Sequence, residues 1–177
     1  MSILQRLRNN IEAIKYALTG KGRKNADELY SGFGGIGAVL YIGKPKEQWP
    51  KSMLPYWDDI QELTEIVRTA SKDEDEFSEW VSSLKSSSLT AYYTPSKFVD
   101  ELITALYIKG AIGMSILDPA AGSGVFLEGI SDCTYRKRDK RVAYEKDLLT
   151  GTILSKRMED EAEVRVDGFE NFYPKDE

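Results

Sequence analysis

Apolar residues recur at three- and four-residue steps from Ser2 to Leu18 (Ile3, Leu4, Leu7, Ile11, Ile14, Leu18), with basic residues between them. That spacing predicts an amphipathic helix, closed by Thr19-Gly20-Lys21-Gly22. Helical spacing returns between Pro50 and Ser88, where Trp57, Ile60, Leu63, Ile66 and Val67 form one stripe and Phe77, Trp80, Val81 and Leu84 a second. The polar run Ser71 to Glu76 between the stripes reads as a turn and a helix start, with Ser71 or Asp73 as cap and acids in the first turn. Asn25 to Tyr30 reads helical, Ala38 to Ile42 reads as a short extended run ended by Gly43 and Pro45, and Ser86 to Thr90 reads as a hinge. Past the hinge the pattern changes. Pro95 opens a helix over Ser96 to Ile108 with Thr94 placed as its cap. Short apolar strands ending at Asp118, Glu145 and Asp167 then alternate with helices from Val125 and from Leu148 to Met158. Strands alternating with helices predict an α/β fold with a parallel sheet.

The stretch Ser115 to Leu127 carries the candidate chemistry. It is a strand, an acid at the strand end, a loop of small residues and a helix. Gly122 and Gly124 permit a sharp turn and the close approach of a ligand, and the helix start directs unpaired N–H groups at the same place. Asp118 sets a carboxylate at the carboxyl end of a strand, where open α/β sheets bind ligands. No Lys-Ser/Thr pair follows the glycines, so a triphosphate is not the implied ligand. A nucleoside-like ligand with a positive group is. Glu145 ends the next strand about twenty residues past Gly124, the distance at which an acid reaches ribose hydroxyls. By contrast, Ser31 to Gly37 matches G-x-G-x-x-G but lacks the preceding strand, and it reads as a structural turn, with a DNA- or cofactor-closing loop as the alternative.

Composition narrows the classes. The chain has 177 residues, 41% of them hydrophobic, enough for one compact domain or a small domain with a helical extension. Its net charge of −5 argues against this piece supplying most of any DNA affinity. Having no histidine and one cysteine, Cys133, it lacks His-based catalysis, His- or thiolate-ligated metal sites and an internal disulfide. No apolar run approaches a membrane span and no signal-peptide core is present, so a cytoplasmic protein is expected. Arg6, Arg8, Lys15, Lys21, Arg23 and Lys24 read as a solvated face, with phosphate contacts as the alternative. Tyr135 to Arg141 reads as a solvated basic turn.

Asp118-Pro119-Ala120-Ala121-Gly122-Ser123-Gly124 resembles the first motif of S-adenosylmethionine-dependent N6-adenine DNA methyltransferases. Ala91-Tyr92-Tyr93-Thr94-Pro95 looks like the motif preceding it in enzymes of this motif order, type I modification subunits among them. Val142 to Asp147 looks like the second motif. Ser31 to Gly35, Asn10 to Ile14 and Glu145 to Leu154 resemble the large DNA methylases of Bacteroides-type mobile elements, extending the likeness over nearly the whole chain. The resemblance implies a partial Rossmann-like class I methyltransferase sheet over residues 89–177, preceded by an α-helical N-terminal region over 1–88. It implies cofactor contacts from Tyr93, Thr94 and Pro95 at the methionine end, and from Asp118, Pro119, Ala120, Gly122 and Gly124 in the loop. Further contacts come from Glu145 with Lys146, and from Asp167, Gly168 and Phe169 at the adenine.

One part of that family's equipment is missing. An Asn/Asp-Pro-Pro-Tyr/Phe motif holds the target amine and stacks on the flipped base. Here Asn171-Phe172-Tyr173-Pro174 has some of the letters but not the order. The expectation is therefore the S-adenosylmethionine-binding portion of a DNA adenine-N6 methyltransferase from a restriction-modification system or mobile element, inactive alone. DNA is expected as a partner of the longer protein, and a homodimer through an exposed sheet edge is expected of this piece. The alternatives are a non-catalytic binding or assembly module of the same fold, and methylation of RNA or protein.

Overall fold

The computed structural model describes residues 1–110, 115–134 and 140–172. The basic run 135–139 and Tyr173–Pro174 lie outside the described residues. The chain divides into two compact units, Met1–Tyr92 and Tyr93–Glu177.

In the first unit α1 spans Ile3–Thr19, started by the Ser2 hydroxyl, which accepts the Gln5 N–H, and stopped by Gly20 in the left-handed region. Helix α2 covers Trp57–Ala70 and α3 covers Glu74–Thr90. Asp73, not Ser71, caps α3 by accepting the Glu76 N–H. The core is Leu7, Ile11 and Ile14 of α1, Ile60, Leu63 and Val67 of α2, and Leu84 of α3, all essentially without solvent exposure. Each such side chain contributes about 1.5–3 kcal/mol on burial. Two local expectations are corrected. Ala38 to Ile42 is not extended; Gly37–Tyr41 forms a 3-10 turn with Ala38 and Val39 buried. A short apolar run buried on one side has no period that distinguishes the two conformations. Ser86 to Thr90 is not a hinge but the last turn of α3, where the Ser88 and Thr90 hydroxyls donate to the Lys85 and Ser86 carbonyls.

The glycine loop has a structural task in this unit. The buried Asn10 side chain donates to the Gly32 carbonyl and accepts the Ser31 N–H, at 2.7 and 2.9 Å, and Arg6 donates to the Gly34 carbonyl. Gly35 donates its N–H to Ser88 at 2.9 Å. The loop thus joins α1 to the end of α3, and Phe33 is sealed beneath it. Gly34 lies so close to the chain after α3 that a methyl group there would overlap the Ala91 carbonyl oxygen and stand 2.9 Å from its carbon.

In the second unit α4 covers Ser96–Ile108, β1 Ile116–Asp118, α5 Val125–Thr134, β2 Arg141–Tyr144, α6 Leu148–Arg157 and β3 Glu163–Arg165. The three strands form a parallel sheet in the order β1-β2-β3, with Leu117 opposite Val142 and Ala143 opposite Val164. This is an α/β architecture, as the alternation predicts. One sheet face packs Ile116, Ala143 and Val164 against Leu127 of α5, Leu154 of α6 and Met158 just after it. Val99 and Ile103 of α4 pack with Ile130 of α5. On the other face Leu117 is 44% exposed and, with Val142, Arg165 and Phe172, lines a cavity of about 190 Å³. Thr94 does not cap α4: Pro95 occupies the cap position, and no side chain accepts there.

Gly34→Ala is expected to destabilise the first unit by about 1–3 kcal/mol, because overpacking against backbone leaves no side chain able to yield. Chemical denaturation followed by tryptophan fluorescence reads this, and an unchanged midpoint contradicts it.

Candidate cofactor site

Parallel pairing of β1 with β2 brings the carboxyl ends of both strands to one edge of the second unit. Asp118 ends β1 and Glu145 follows β2, so two carboxylates arrive side by side. The loop from Pro119 to Gly124 wraps beneath them. Gly122 and Gly124 have φ of +55° and +88°, angles that side chains resist. Gly124 is also crowded, since a methyl group there would stand 2.7 Å from Leu154 of α6.

Glu145 holds two segments together. Its Oε2 accepts the Gly122 N–H at 2.9 Å and its Oε1 accepts the Asp147 N–H at 2.8 Å. The Ala121 N–H donates to the Tyr144 carbonyl at 2.9 Å, a second tie between loop and strand. Asp118 Oδ1 accepts the Ala120 N–H at 3.2 Å. Asp147 in turn caps α6 by accepting the Thr150 N–H at 2.8 Å. The tyrosine of the preceding motif joins here: the Tyr93 ring packs on Gly122, and its hydroxyl meets the Thr150 hydroxyl at 3.1 Å. At the start of α5, Arg157 of α6 donates to the Ser123 carbonyl at 2.6 Å and pairs with Glu128.

Burial pushes the Glu145 carboxyl above the usual range, opposed by the two amide hydrogen bonds and assisted by the charges of Asp147 and Asp118. Burial raises Asp118 as well, opposed by the Ala120 hydrogen bond. Among the described residues neither carboxylate has an ion pair. Two half-buried negative charges without a cation repel phosphate and attract hydroxyl donors or a positive group.

The remaining candidates divide. Thr94 is half-buried; Pro95, Pro119 and Ala120 are exposed. Lys146, Asp167, Gly168 and Phe169 form a second cluster after β2 and β3. Lys146 pairs with Glu170 at 2.5 Å, and Asp167 accepts from the Gly168 N–H at 2.7 Å and the Asn171 amide at 2.8 Å. Those bonds hold the Asp167 carboxyl below its usual range. Phe169 stacks on Phe172, and both rings meet Tyr144 edge-on at 5.4 and 5.8 Å. Sequence reasoning missed Tyr144, Asp147 and Thr150. The Asp-x-x-Thr spacing at the start of α6 is a capping signal that points to two of them.

Among the described residues no cluster of His, Cys, Asp or Glu has metal-binding geometry, and no helix is long and apolar enough to cross a membrane. Comparison with protein-family models, with curated proteins and with solved structures finds no match to the chain.

The raised carboxyls give a signed pH dependence. An acid whose folded pKa exceeds its unfolded one costs stability when ionised, so the fold gains as pH falls from neutral through the raised values toward the ordinary ones near 4. The stability of the wild type relative to Asp118→Asn is expected to rise as pH is lowered from 7 to 4. Urea denaturation across that range measures it, and a difference that falls would contradict the burial of Asp118.

Proposed function

We propose that the second unit binds S-adenosylmethionine as the cofactor half of a DNA adenine-N6 methyltransferase, in a partial Rossmann-like class I fold. The observation that carries this reading is the pair of cation-free, half-buried carboxylates, Asp118 and Glu145, at adjacent parallel strand ends above a loop with two left-handed glycines. A nucleoside with ribose hydroxyls and a sulfonium suits that charge; a polyphosphate does not. Glu145 keeps lone pairs beyond its two amide bonds and would accept the ribose hydroxyls. Asp118 would face the positive end, with Thr94 toward the methionine carboxylate and Asp167 and Phe169 toward adenine. Tyr93 supports the loop through Gly122.

When bound, the cofactor would supply an electrophilic methyl group on sulfonium for transfer to the exocyclic amine of adenine. The chain's own residues bind and orient, and exclude water from the loop. The residue set that grips the target amine in the resembling enzymes is not in this sequence, so turnover is assigned to a longer protein that supplies it. An assembly module of the same fold is the second reading, favoured by that same missing motif. Association through the edge of β1, paired on one side only among the described residues, is proposed alongside it. Sedimentation at rising concentration tests it, and a monomer throughout removes it.

Calorimetry with S-adenosylmethionine is the direct test of the cofactor. Asp118→Ala and Glu145→Ala are each expected to weaken binding by about 1–3 kcal/mol, the scale of a lost charge-assisted hydrogen bond. Wild-type affinity is expected to fall on acidification, beginning above the ordinary glutamate range as Glu145 protonates. A folded chain that ignores the cofactor sinks the reading. Methylation of DNA by the longer protein, with N6-methyladenine as product, separates the enzyme from the assembly module.

A further inference from the structure

The basic residues of the first unit fall into two sets. Arg6 is bound to the Gly34 carbonyl, Arg8 pairs with the buried Asp59 at 2.7 Å, and Lys15 faces Glu62 at 3.9 Å, so these three belong to the fold. Lys44 and Lys85 are different. Both line a groove of about 420 Å³ between Ile42–Lys44, α2 and α3, and among the described residues neither has an ion pair. Lys85 is half-buried there. Lys44 stands over the Tyr41 ring, its Nζ 4.8 Å from the centroid, and the two lysines without carboxylate partners leave the groove attractive to an anion.

The rest of the groove says what accompanies that anion. Its wall is apolar, from Ile42, Phe77 and Val81. Arg68 sits over the Phe77 ring, its Cζ 3.8 Å from the centroid, and pairs with Glu74 at 2.8 Å, yet its side chain remains 49% exposed. A guanidinium clamped on one face by a ring and at its edge by a carboxylate presents its other face as a stacking platform. The acids of the first turn of α3 do not oppose this. The residues of α3 on the groove are Glu74, Phe77, Ser78, Val81 and Lys85, so Asp75 and Glu79 lie off that stripe. Glu76 is turned back to Lys72, accepting its N–H at 2.6 Å. With Glu74 neutralised by Arg68, the groove is left positive through Lys44 and Lys85.

We infer that this groove holds one unpaired nucleotide of DNA, its phosphate on Lys44 and Lys85 and its base on the outer face of Arg68. A concave site of this volume accepts a single nucleotide and not the convex backbone of a duplex, and cationic grooves with stacking planes are how single strands are held. This rests on the DNA reading above. Base chemistry requires a nucleotide out of the stack, which leaves its former partner unpaired.

Fluorescence anisotropy with a short labelled single strand, and with a duplex of the same sequence, tests the groove on the full chain. The single strand is expected to bind more tightly than the duplex. Lys44→Glu and Lys85→Glu are each expected to weaken it about tenfold or more. Each should also reduce the dependence of log K on log salt, by at most ~0.7 for the one phosphate they share. Arg68→Lys keeps the charge and is expected to weaken binding with the salt slope unchanged, a split that a merely structural role would not produce. Lys51→Glu, an exposed site off the groove, serves as the control, and circular dichroism confirms folding of each variant. Wild-type affinity in the groove variants, no binding by the wild type, or an equal preference for duplex overturns the inference. Calorimetry with S-adenosylmethionine on the same preparations separates the two proposals. Cofactor binding with DNA affinity indifferent to Lys44 and Lys85 removes the groove alone. Strand binding through the groove without cofactor binding removes the methyltransferase reading alone.

Discussion

The arrangement of the second unit depends on one carboxylate. Glu145 accepts N–H groups from the β1–α5 loop and from the start of α6 at once, so both loops at the strand ends are fixed to the same side chain. Amide groups in a left-handed glycine turn have no regular ladder to join, and a buried unpaired N–H costs about as much as a lost hydrogen bond. Glu145 meets that need for Gly122, while the Tyr144 carbonyl meets it for Ala121. Burial works against this charge, as its raised pKa records. The acid stays where it is because hydrogen bonds to its ionised form offset part of the desolvation.

A comparable economy governs the first unit. Gly34 is required by proximity, not by its own dihedral angles: the chain leaving α3 passes where a side chain would stand. Arg6 and Asn10 of α1 complete the connection, and both would otherwise read as polar residues on a helix face. Charges already bound within the fold cannot serve an outside partner, which is why the proposed groove rests on Lys44 and Lys85 and not on Arg6, Arg8 and Lys15 of α1.

How much of this was legible in the sequence differs from element to element. The stripes of α1, α2 and α3 were, because burial on one side of a helix imposes its period on the residues. Asp118, Gly122, Gly124 and Glu145 were legible as a loop between two strand ends, since the chemistry depends on local order and spacing. Gly37–Tyr41 was not, because a five-residue run with only Ala38 and Val39 buried carries no period. Thr94 was misplaced by one residue: Pro95 has the extended dihedral angles of a cap and itself takes that position. The partners of Gly34 and Glu145 were invisible for a different reason. Ala91 and Gly122 meet them only after folding, and no local pattern encodes a contact between distant segments. The same holds for the groove, which needs Lys44 brought beside two helices.

Because the loop from Pro119 to Gly124 draws its hydrogen bonds from its own chain, its shape does not wait for a guest. The entropy of ordering it is met during folding, and the nucleoside proposed above would give up less of its binding free energy to organise the site. Capture is then limited by encounter and orientation, with little delay from loop closure, and differences in affinity among related ligands should appear in how long each stays. On the proposed reading, a site of this kind would suit a cofactor exchanged at every turnover, where a slowly closing loop would itself set the pace.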